Sequence, residues 1–378
     1  MKKVCWFATH LREVFHDYYI ECPELDTFFS GKRRRWYDLL AGGLNRYVIK
    51  RNLLFAEGID RLYREKDPSY CAFVADFLKK YRDYDLIIFT DYNLIHPEIL
   101  HRELRKPVKI LGFYDDPVST YVRGIPYLWA FDGACYGSPG YSSDTNLSDA
   151  LKRWGCMNRY WLPIVPLPPA FPEGPEKVDE AFFARRDIDV MYVGKPYSGK
   201  VERLIRLKRH FGSRLHVYGR WPLKGYGGLL RGLQGKPVYR WRVRSLTNDE
   251  RASLYLRGKI GFNMHYSETP SETGNMRMYE VPLHGLMLLC DKAGLNAHEE
   301  IYVPDKEAVF YDSIDDAIEK AEFYLTHDSE RIEIARNGFL RAWRDYVWEK
   351  CVLDFLNWAS SLREKRGEQE KKSNIAVG

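Results

Sequence analysis

The residues best placed to do chemistry lie in one run, Lys259 to Cys290. An apolar, strand-like stretch over 259–264 ends in the polar group Asn263, His265 and Ser267. A loop carrying Glu268, Ser271, Glu272 and Gly274 follows, and helical spacing begins near Asn275. A helix start offers unpaired backbone N–H groups and the positive end of a dipole, which together make a ready site for an anion. Arg277, in the first turn, adds a charge-assisted contact suited to a diphosphate. Glu280 follows within the helix, and Gly285 turns the chain into the apolar run Leu286–Cys290. For Glu272 the plain alternative is a helix-start carboxylate placed favourably on the dipole.

A second anion-binding candidate is Gly194-Lys195-Pro196-Tyr197-Ser198-Gly199-Lys200, which joins the strand-like Asp189–Val193 to a helix. Gly194, Gly199 and Lys200 match the spacing of a phosphate-binding P-loop, but Val201 stands where that loop requires a hydroxyl for magnesium. The mismatch argues against a nucleotide triphosphatase. Further along, Gly219-Arg220-Trp221 closes the strand-like Leu215–Tyr218 and is placed to meet a nucleotide base, or simply to turn and pack. In the N-terminal half, Tyr114-Asp115-Asp116-Pro117 leaves two carboxylates where the strand-like Val108–Phe113 ends. One of them could orient an acceptor hydroxyl or take its proton, although Asp before Pro also starts ordinary turns. Thr9-His10 and Thr90-Asp91 occupy equivalent strand ends.

The elements that must position these groups alternate between short apolar runs and helical patterns, the pattern of parallel α/β sheets. Lys3–Ala8, Leu86–Thr90, Val108–Phe113, Trp129–Cys135 and Arg159–Leu162 read as strands, with helices over Ser69–Lys80 and Asn146–Trp154. Six prolines between Pro163 and Pro175 exclude helix and central strand and mark a boundary. The pattern then restarts. Ser198–Phe211, Asn248–Arg257 (with Asn248 as its cap), Met276–His284, Ser313–Thr326 and Asp328–Trp343 read as helices around the strands Lys259–Met264, Leu286–Cys290 and Ala308–Tyr311. The expected organisation is a first Rossmann-like domain over 1–165 and a Pro-rich linker over 166–186. A second Rossmann-like domain covers 187–345, and a C-terminal helix and disordered tail cover 346–378. In doubly wound sheets ligands sit at the C-terminal ends of the strands.

Composition agrees with a globular enzyme-sized chain. With 378 residues, two cores are expected. Seven scattered cysteines without a CxxC pair predict reduced thiols and a cytoplasmic setting. No apolar run reaches the roughly 20 residues of a membrane span, and no cleavable leader pattern opens the sequence, so membrane contact is expected only at the surface. The net charge of +6 is unevenly spread. Between Lys195 and Lys259 there are 17 Lys/Arg and three acids, a local +14 that leaves −8 elsewhere. Lys32-Arg33-Arg34-Arg35 forms a second basic run. Such fields attract nucleotide phosphates, acidic lipid surfaces or nucleic acid. Arg231–Arg244 interleaves basic and aromatic residues, as an acceptor-binding insertion or as a charge-protected edge strand.

Glu272 and Glu280 are separated by seven residues, and Glu280 precedes Gly285 by five. The pair resembles the Glu-x7-Glu donor signature of GT-B-fold glycosyltransferases. The run Asn275-Met276-Arg277-Met278-Tyr279-Glu280, followed by Gly285 and an apolar strand, is similar to the CgeB-like group, and so is Thr326–Arg341. The resemblance is good from about Asp187 to Tyr346, and the Asp115-Asp116-Pro117 turn has a counterpart in the same group. It implies a GT-B architecture, two doubly wound Rossmann-like domains facing each other across a cleft, with the donor in the second. Glu280 would hold the ribose hydroxyls and Glu272, or Glu268, the transferred sugar. Arg277, the amides of Gly274 and Asn275, and Lys200 or Lys195 beside Gly194 would face the diphosphate. Gly219, Arg220 and His265 complete the expected donor site, with Asp115 and Asp116 on the acceptor side.

The reaction implied moves a sugar from a nucleoside diphosphate sugar, UDP- or GDP-linked, to an acceptor hydroxyl with retention. Lys200, Arg277 and the helix start would stabilise the departing diphosphate, with neither a metal ion nor another cofactor required. The acceptor side admits a polyanion: an acidic glycan, a lipid-linked phosphate or modified DNA. Two other readings stay open. One is a nucleotide-sugar epimerase of the same fold, and the other a non-catalytic nucleotide-sugar or nucleic-acid binding protein.

Overall fold

A computed structural model describes residues 3–6, 20–21, 57–90, 95–113, 124–137, 147–166, 174–194, 198–219, 232–233, 243–265, 275–292 and 301–377. The chain forms two compact units. The first comprises Met1–Gly137, Leu147–Leu162 and Val352–Gly378, and the second Ser138–Asn146 and Pro163–Cys351.

In the first unit β1 (Val4–Trp6), β2 (Ile20–Glu21), β3 (Leu86–Thr90), β4 (Val108–Phe113), β5 (Gly133–Tyr136) and β6 (Arg159–Trp161) form one sheet. Its order is β2-β1-β3-β4-β5-β6, and every pairing is parallel. Helices α1 (Pro68–Tyr81), α2 (Pro97–Glu103) and α3 (Leu147–Arg153) accompany it. Asp67 caps α1 by accepting from the Tyr70 amide, and Pro68 occupies the first turn, where a missing N–H costs nothing. The expected strand Trp129–Cys135 divides. Ile125–Ala130 is a 3-10 helix, because Pro126 fixes φ for a helical first turn, and the strand starts only at Gly133.

The second unit holds β7 (Ile188–Val193), β8 (Leu215–Tyr218), β9 (Gly258–Asn263), β10 (Met287–Asp291) and β11 (Val309–Tyr311), in the order β11-β10-β9-β7-β8 and all parallel. Helices α4 (Glu180–Ala184), α5 (Ser198–Phe211), α6 (Asn248–Tyr255), α7 (Met276–Leu283), α8 (Ile314–Thr326) and α9 (Asp328–Asp345) belong to this unit. Its core is apolar and dense, with Val190, Tyr192, Leu204, Ile260, Phe262, Leu289 and Phe339 at most 1% exposed. Strand order reverses direction between β7 and β9, which makes the C-terminal ends of these two strands the switch point where ligands bind in such sheets.

Three details differ from the sequence reading. The segment 174–186, expected as linker, is folded into the second unit: Asp179 caps α4, and Phe183 enters the core. The cap of α6 is Thr247, not Asn248, since Thr247 and Glu250 satisfy each other's amides in a capping box. The tail expected to be disordered is helical: α10 runs from Trp348 to Val377. Its Glu, Lys, Gln and Arg content favours helix, and extending a packed helix avoids the nucleation cost. From Val352 onward α10 belongs to the first unit. There Phe355 packs on Trp6 at 5.4 Å between ring centres, and Arg363 pairs with Asp85 at 2.7 Å.

Candidate functional site

The switch point of the second sheet brings together four of the side chains that the sequence singled out, Asn263, His265, Asn275 and Arg277. β9 ends in Asn263, then Met264 and His265, and β10 ends beside them in Asp291. Helix α7 begins at the same edge with Asn275 as its cap, accepting from the Arg277 amide at 3.1 Å. A polar cap here leaves the remaining first-turn N–H groups and the dipole for an anion.

Arg277 turns back across the strand ends. Its Nε donates to Asn263 Oδ1 at 2.9 Å, one Nη to the Val193 carbonyl at 3.0 Å and the other to the Met264 carbonyl at 3.3 Å. The guanidinium lies 5.1 Å from the centre of the Tyr192 ring. Three of its five N–H groups are thereby engaged and the side chain is half-buried, so the fork is fixed while, among the described residues, two donors stay without a partner. This explains Gly194: a Cβ there would stand 2.7 Å from Arg277 Nη1 and 2.6 Å from the Tyr192 hydroxyl. The glycine allows the close approach of guanidinium and backbone.

Glu280 is 3% exposed, one turn further along α7. Its Oε1 lies 2.7 Å from Arg251 Nε of α6. Burial pushes the carboxyl above its ordinary value of 4.5, and Arg251 and Arg277 pull it back only in part. A carboxylate held in so little water is primed for hydroxyl donors, which would restore the hydrogen bonds lost on burial.

His265 is wholly buried. Its Nδ1 lies 2.7 Å from Asp291 Oδ1, and its amide donates to Asp291 Oδ2 at 2.8 Å. Arg203 of α5 donates to the His265 carbonyl at 2.9 Å and approaches Asp291 Oδ2 at 3.5 Å. Among the described residues, His265, Cys290 and Asp291 form the one group whose donor atoms could converge on a metal, within 4.8 Å of one another. The Asp291 oxygens already serve the imidazole and the amide, and Arg203 places a positive charge beside them. The trio is a hydrogen-bonded cluster.

Of the other expected donor-site residues, Lys200 is buried in the first turn of α5, at 5% exposure. Gly219 follows β8, where its φ of 145° and its bond to the Arg244 carbonyl suit a strand-end turn. Lys195, Arg220, Glu272 and Gly274 lie outside the described residues, as do Asp115 and Asp116. The sequence reading missed Arg203, Arg251 and Asp291. For Asp291 a signal existed, an acid directly after a buried apolar strand; for the two arginines, lying in a generally basic stretch, none did. A separate cavity of about 780 Å³ in this unit is lined by Val303, Lys306, Glu307, Leu340 and Arg341. Arg341 there is paired with Asp345 at 2.7 Å and Glu307 at 3.7 Å.

A family model described as glycosyl transferase-like matches residues 200–357, the span that carries α5, Arg251, α7 and Asp291. Among curated proteins none matches the sequence significantly. Solved structures share the fold. TarM matches with a TM-score of 0.52 at 12% identity over 77% of this chain, which spans 57% of that protein. The HepE protein of Anabaena, crystallised with UDP and glucose, matches with a TM-score of 0.52 at 12% identity, over 98% of this chain and 91% of that one. Sucrose-phosphate synthase from Thermosynechococcus elongatus matches with a TM-score of 0.50 at 15% identity, over 84% and 80% of the two chains. With its two parallel sheets, the chain has the GT-B fold, built from two Rossmann-like units.

Proposed function

We propose that the protein is a glycosyltransferase that uses a nucleoside diphosphate sugar, bound at the C-terminal edge of the second sheet. The observation that carries this reading is Glu280, a carboxylate 3% exposed on the helix that starts at the switch point. Arg251 Nε lies 2.7 Å from one of its oxygens, and ribose hydroxyls would donate to the same buried carboxylate. The Glu-x7-Glu spacing, the family match over 200–357 and the CgeB-like pattern support the same role. UDP occupies the structure of HepE and is the first donor nucleotide to test, with GDP second.

In the transfer, the bond between the anomeric carbon and the β-phosphate oxygen breaks, and a bond to the acceptor oxygen forms. The bonding pair leaves with the diphosphate, and the acceptor proton passes to a base. The two N–H groups of Arg277 not held by the sheet, Lys200 and the amides at the start of α7 meet the charge gained by the diphosphate. Preorganised donors of this kind contribute roughly 3–4 kcal/mol each. Such a site needs no metal ion. Glu272 would hold the sugar hydroxyls, and Asp115 or Asp116 would orient the acceptor. Retention of configuration belongs to the same reading, as does a polyanionic acceptor matched to the +14 segment.

The test is a thermal-shift panel of UDP-, GDP-, dTDP-, ADP- and CDP-sugars on the wild type and on Glu280→Ala. One nucleotide class at about 100 times its Kd should stabilise the wild type by about 2.7 kcal/mol and leave the variant unmoved. No shift with any donor removes the assignment. Conversion of the donor to an isomer without any acceptor would replace transfer by epimerisation.

A further inference from the structure

We infer that the edge of the first sheet where its strands begin docks on an anionic lipid bilayer. Trp129, Trp154 and Met157 would enter the bilayer interface, and the arginines and lysines around them would meet lipid phosphates. The inference is independent of the donor-site reading. Helix α2 leads from β3 to β4, the 3-10 helix Ile125–Ala130 from β4 to β5, and α3 from β5 to β6. Each is a crossover between neighbouring parallel strands in the same direction, so all three lie on one face of the sheet and end at its N-terminal edge. There Trp129 is 55%, Trp154 63% and Met157 68% exposed. Trp129 precedes β5 and the other two precede β6, and these strands pair, so their starts are about 5 Å apart. Asn158 ties the two starts together by donating to the Asp132 carbonyl at 2.8 Å.

Directed bonds hold the turn that presents Trp154 and Met157. Gly155, at φ +86°, ends α3 and donates to the Lys152 carbonyl at 2.9 Å, after which Cys156 turns inward and is buried. Arg159 closes the turn, with Nη1 donating to the Cys156 and Met157 carbonyls at 2.8 and 3.0 Å and Nε to Ser148 Oγ at 3.1 Å. Exposed apolar side chains grouped within a polar rim mark interaction surfaces. The charge of the rim selects the partner. Lys152 and Arg153 are exposed directly beside Trp154. On the other side the Trp129 ring lies 5.5 Å from that of His101, next to a groove of about 530 Å³ lined by Arg82, Asp83, Arg102, Glu103, Arg105 and Lys106. Six cations thus accompany two acids. Asp85 and Asp132, also at the strand starts, are paired with Arg363 at 2.7 Å and Lys109 at 3.2 Å. Tryptophan favours the bilayer interface, and each cation close to an anionic leaflet adds attraction. Methionine has no flat face for a stacked base, so this combination fits lipid better than nucleic acid.

The experiment is co-sedimentation of the full chain with vesicles of phosphatidylcholine alone and of phosphatidylcholine mixed with phosphatidylglycerol, at low and high salt. The wild type should bind the mixed vesicles about tenfold more tightly than the neutral ones, and high salt should narrow the difference. Two double variants test the surface, Trp154→Ala with Met157→Ser and Lys152→Glu with Arg153→Glu. Each should melt at the wild-type temperature and bind the mixed vesicles about tenfold more weakly. Brominated acyl chains should quench the tryptophan fluorescence of the wild type more than that of the first variant. Should one variant fail to fold, the other decides. A wild type that does not bind the mixed vesicles overturns the proposal. Undiminished binding by a folded variant also overturns it and moves the contact to the basic segments Lys32–Arg35 or Lys195–Lys259. Duplex DNA binding that falls in the same variants, without vesicle binding, replaces lipid by nucleic acid. A lipid-free dimer that the first variant dissociates, with vesicle binding unchanged, replaces it by a second copy of the chain.

Discussion

Two arginines at opposite ends of the second sheet show how position decides the use of one side chain. Arg186, at the start of β7, is 6% exposed, and all its bonds go to carbonyls. It donates to Phe182 at 3.3 Å, Tyr255 at 3.1 Å, Gly258 at 2.8 Å and His284 at 2.8 Å. Here the C-terminal ends of α6 and α7 converge, and a cation neutralises their negative dipole ends. Burial, foremost, and the like charge of Arg331 push its pKa down to about 9, so it remains charged at neutral pH. Arg277 sits where helices begin, beside positive dipole ends. It is held by strand-end carbonyls and Asn263, and it adds to a field that favours an anion instead of cancelling one. One edge consumes its charge in the fold, and the other keeps charge for a ligand.

Substituting the two should separate these uses. Arg186→Met leaves several buried carbonyls without a donor and is expected to cost about 3–5 kcal/mol of stability. Arg277→Met removes three part-buried bonds and should cost about 1–2 kcal/mol, while abolishing stabilisation by the donor nucleotide. Urea unfolding followed by tryptophan fluorescence, with and without nucleotide, measures both. Equal losses of stability would show that Arg277 is also a staple, and the contrast between the edges would collapse.

The same contrast extends to glycines that touch these arginines. Gly285 has φ +72°, and a Cβ would stand 2.5 Å from the Phe182 ring and 2.7 Å from Arg186. Gly285→Ala therefore combines backbone strain with a clash and should cost about 1–3 kcal/mol. Gly194→Ala meets the Tyr192 hydroxyl at 2.6 Å and the guanidinium of Arg277 at 2.7 Å but carries no left-handed backbone strain, so its cost in stability should be the smaller, about 1 kcal/mol. Displacing the guanidinium should instead weaken nucleotide binding about tenfold. Calorimetric melting and nucleotide titration of the two variants would reverse this order if Gly194 were needed only for packing.

The two edges also differ in how far the sequence disclosed them. Asn275, Arg277, Glu280 and Gly285 lie within one strand–loop–helix–strand unit, so local spacing sufficed to place them together. Arg203, Arg251 and Asp291 reach the site from α5, α6 and β10, and only the strand order brings them there. Arg186 was hidden for another reason. It follows a proline-rich stretch that reads as linker, and its partners are carbonyls, which leave no trace in side-chain identity. The cap of α6 was misread by one residue because Asn and Thr stand side at side, and the reciprocal Glu250 decides for Thr247. The strands β3, β4 and β8 were plain, since short, largely apolar runs between polar turns have few other solutions.

The smallest effect expected concerns pH and Glu280, and it asks whether the site's acid behaves like Arg277 or like Arg186. Because burial raises its pKa above 4.5, the protonated form is the one the fold favours. The stability this group contributes is therefore fully present below the ordinary carboxylate value and is lost as pH rises through the raised one. Glu280→Gln removes that loss. Its melting temperature should match the wild type in acid and equal or exceed it at neutral pH, while the nucleotide no longer stabilises it. Melting curves between about pH 4 and 8 cover the range. A wild type that stays more stable than Glu280→Gln at neutral pH would mean that the Arg251 pair at 2.7 Å outweighs desolvation. Glu280 would then be a staple of α6 to α7, and the hydroxyl-binding role would pass to the loop acids. The predicted order instead marks a carboxylate kept at a cost to the fold for a ligand that supplies the missing hydrogen bonds.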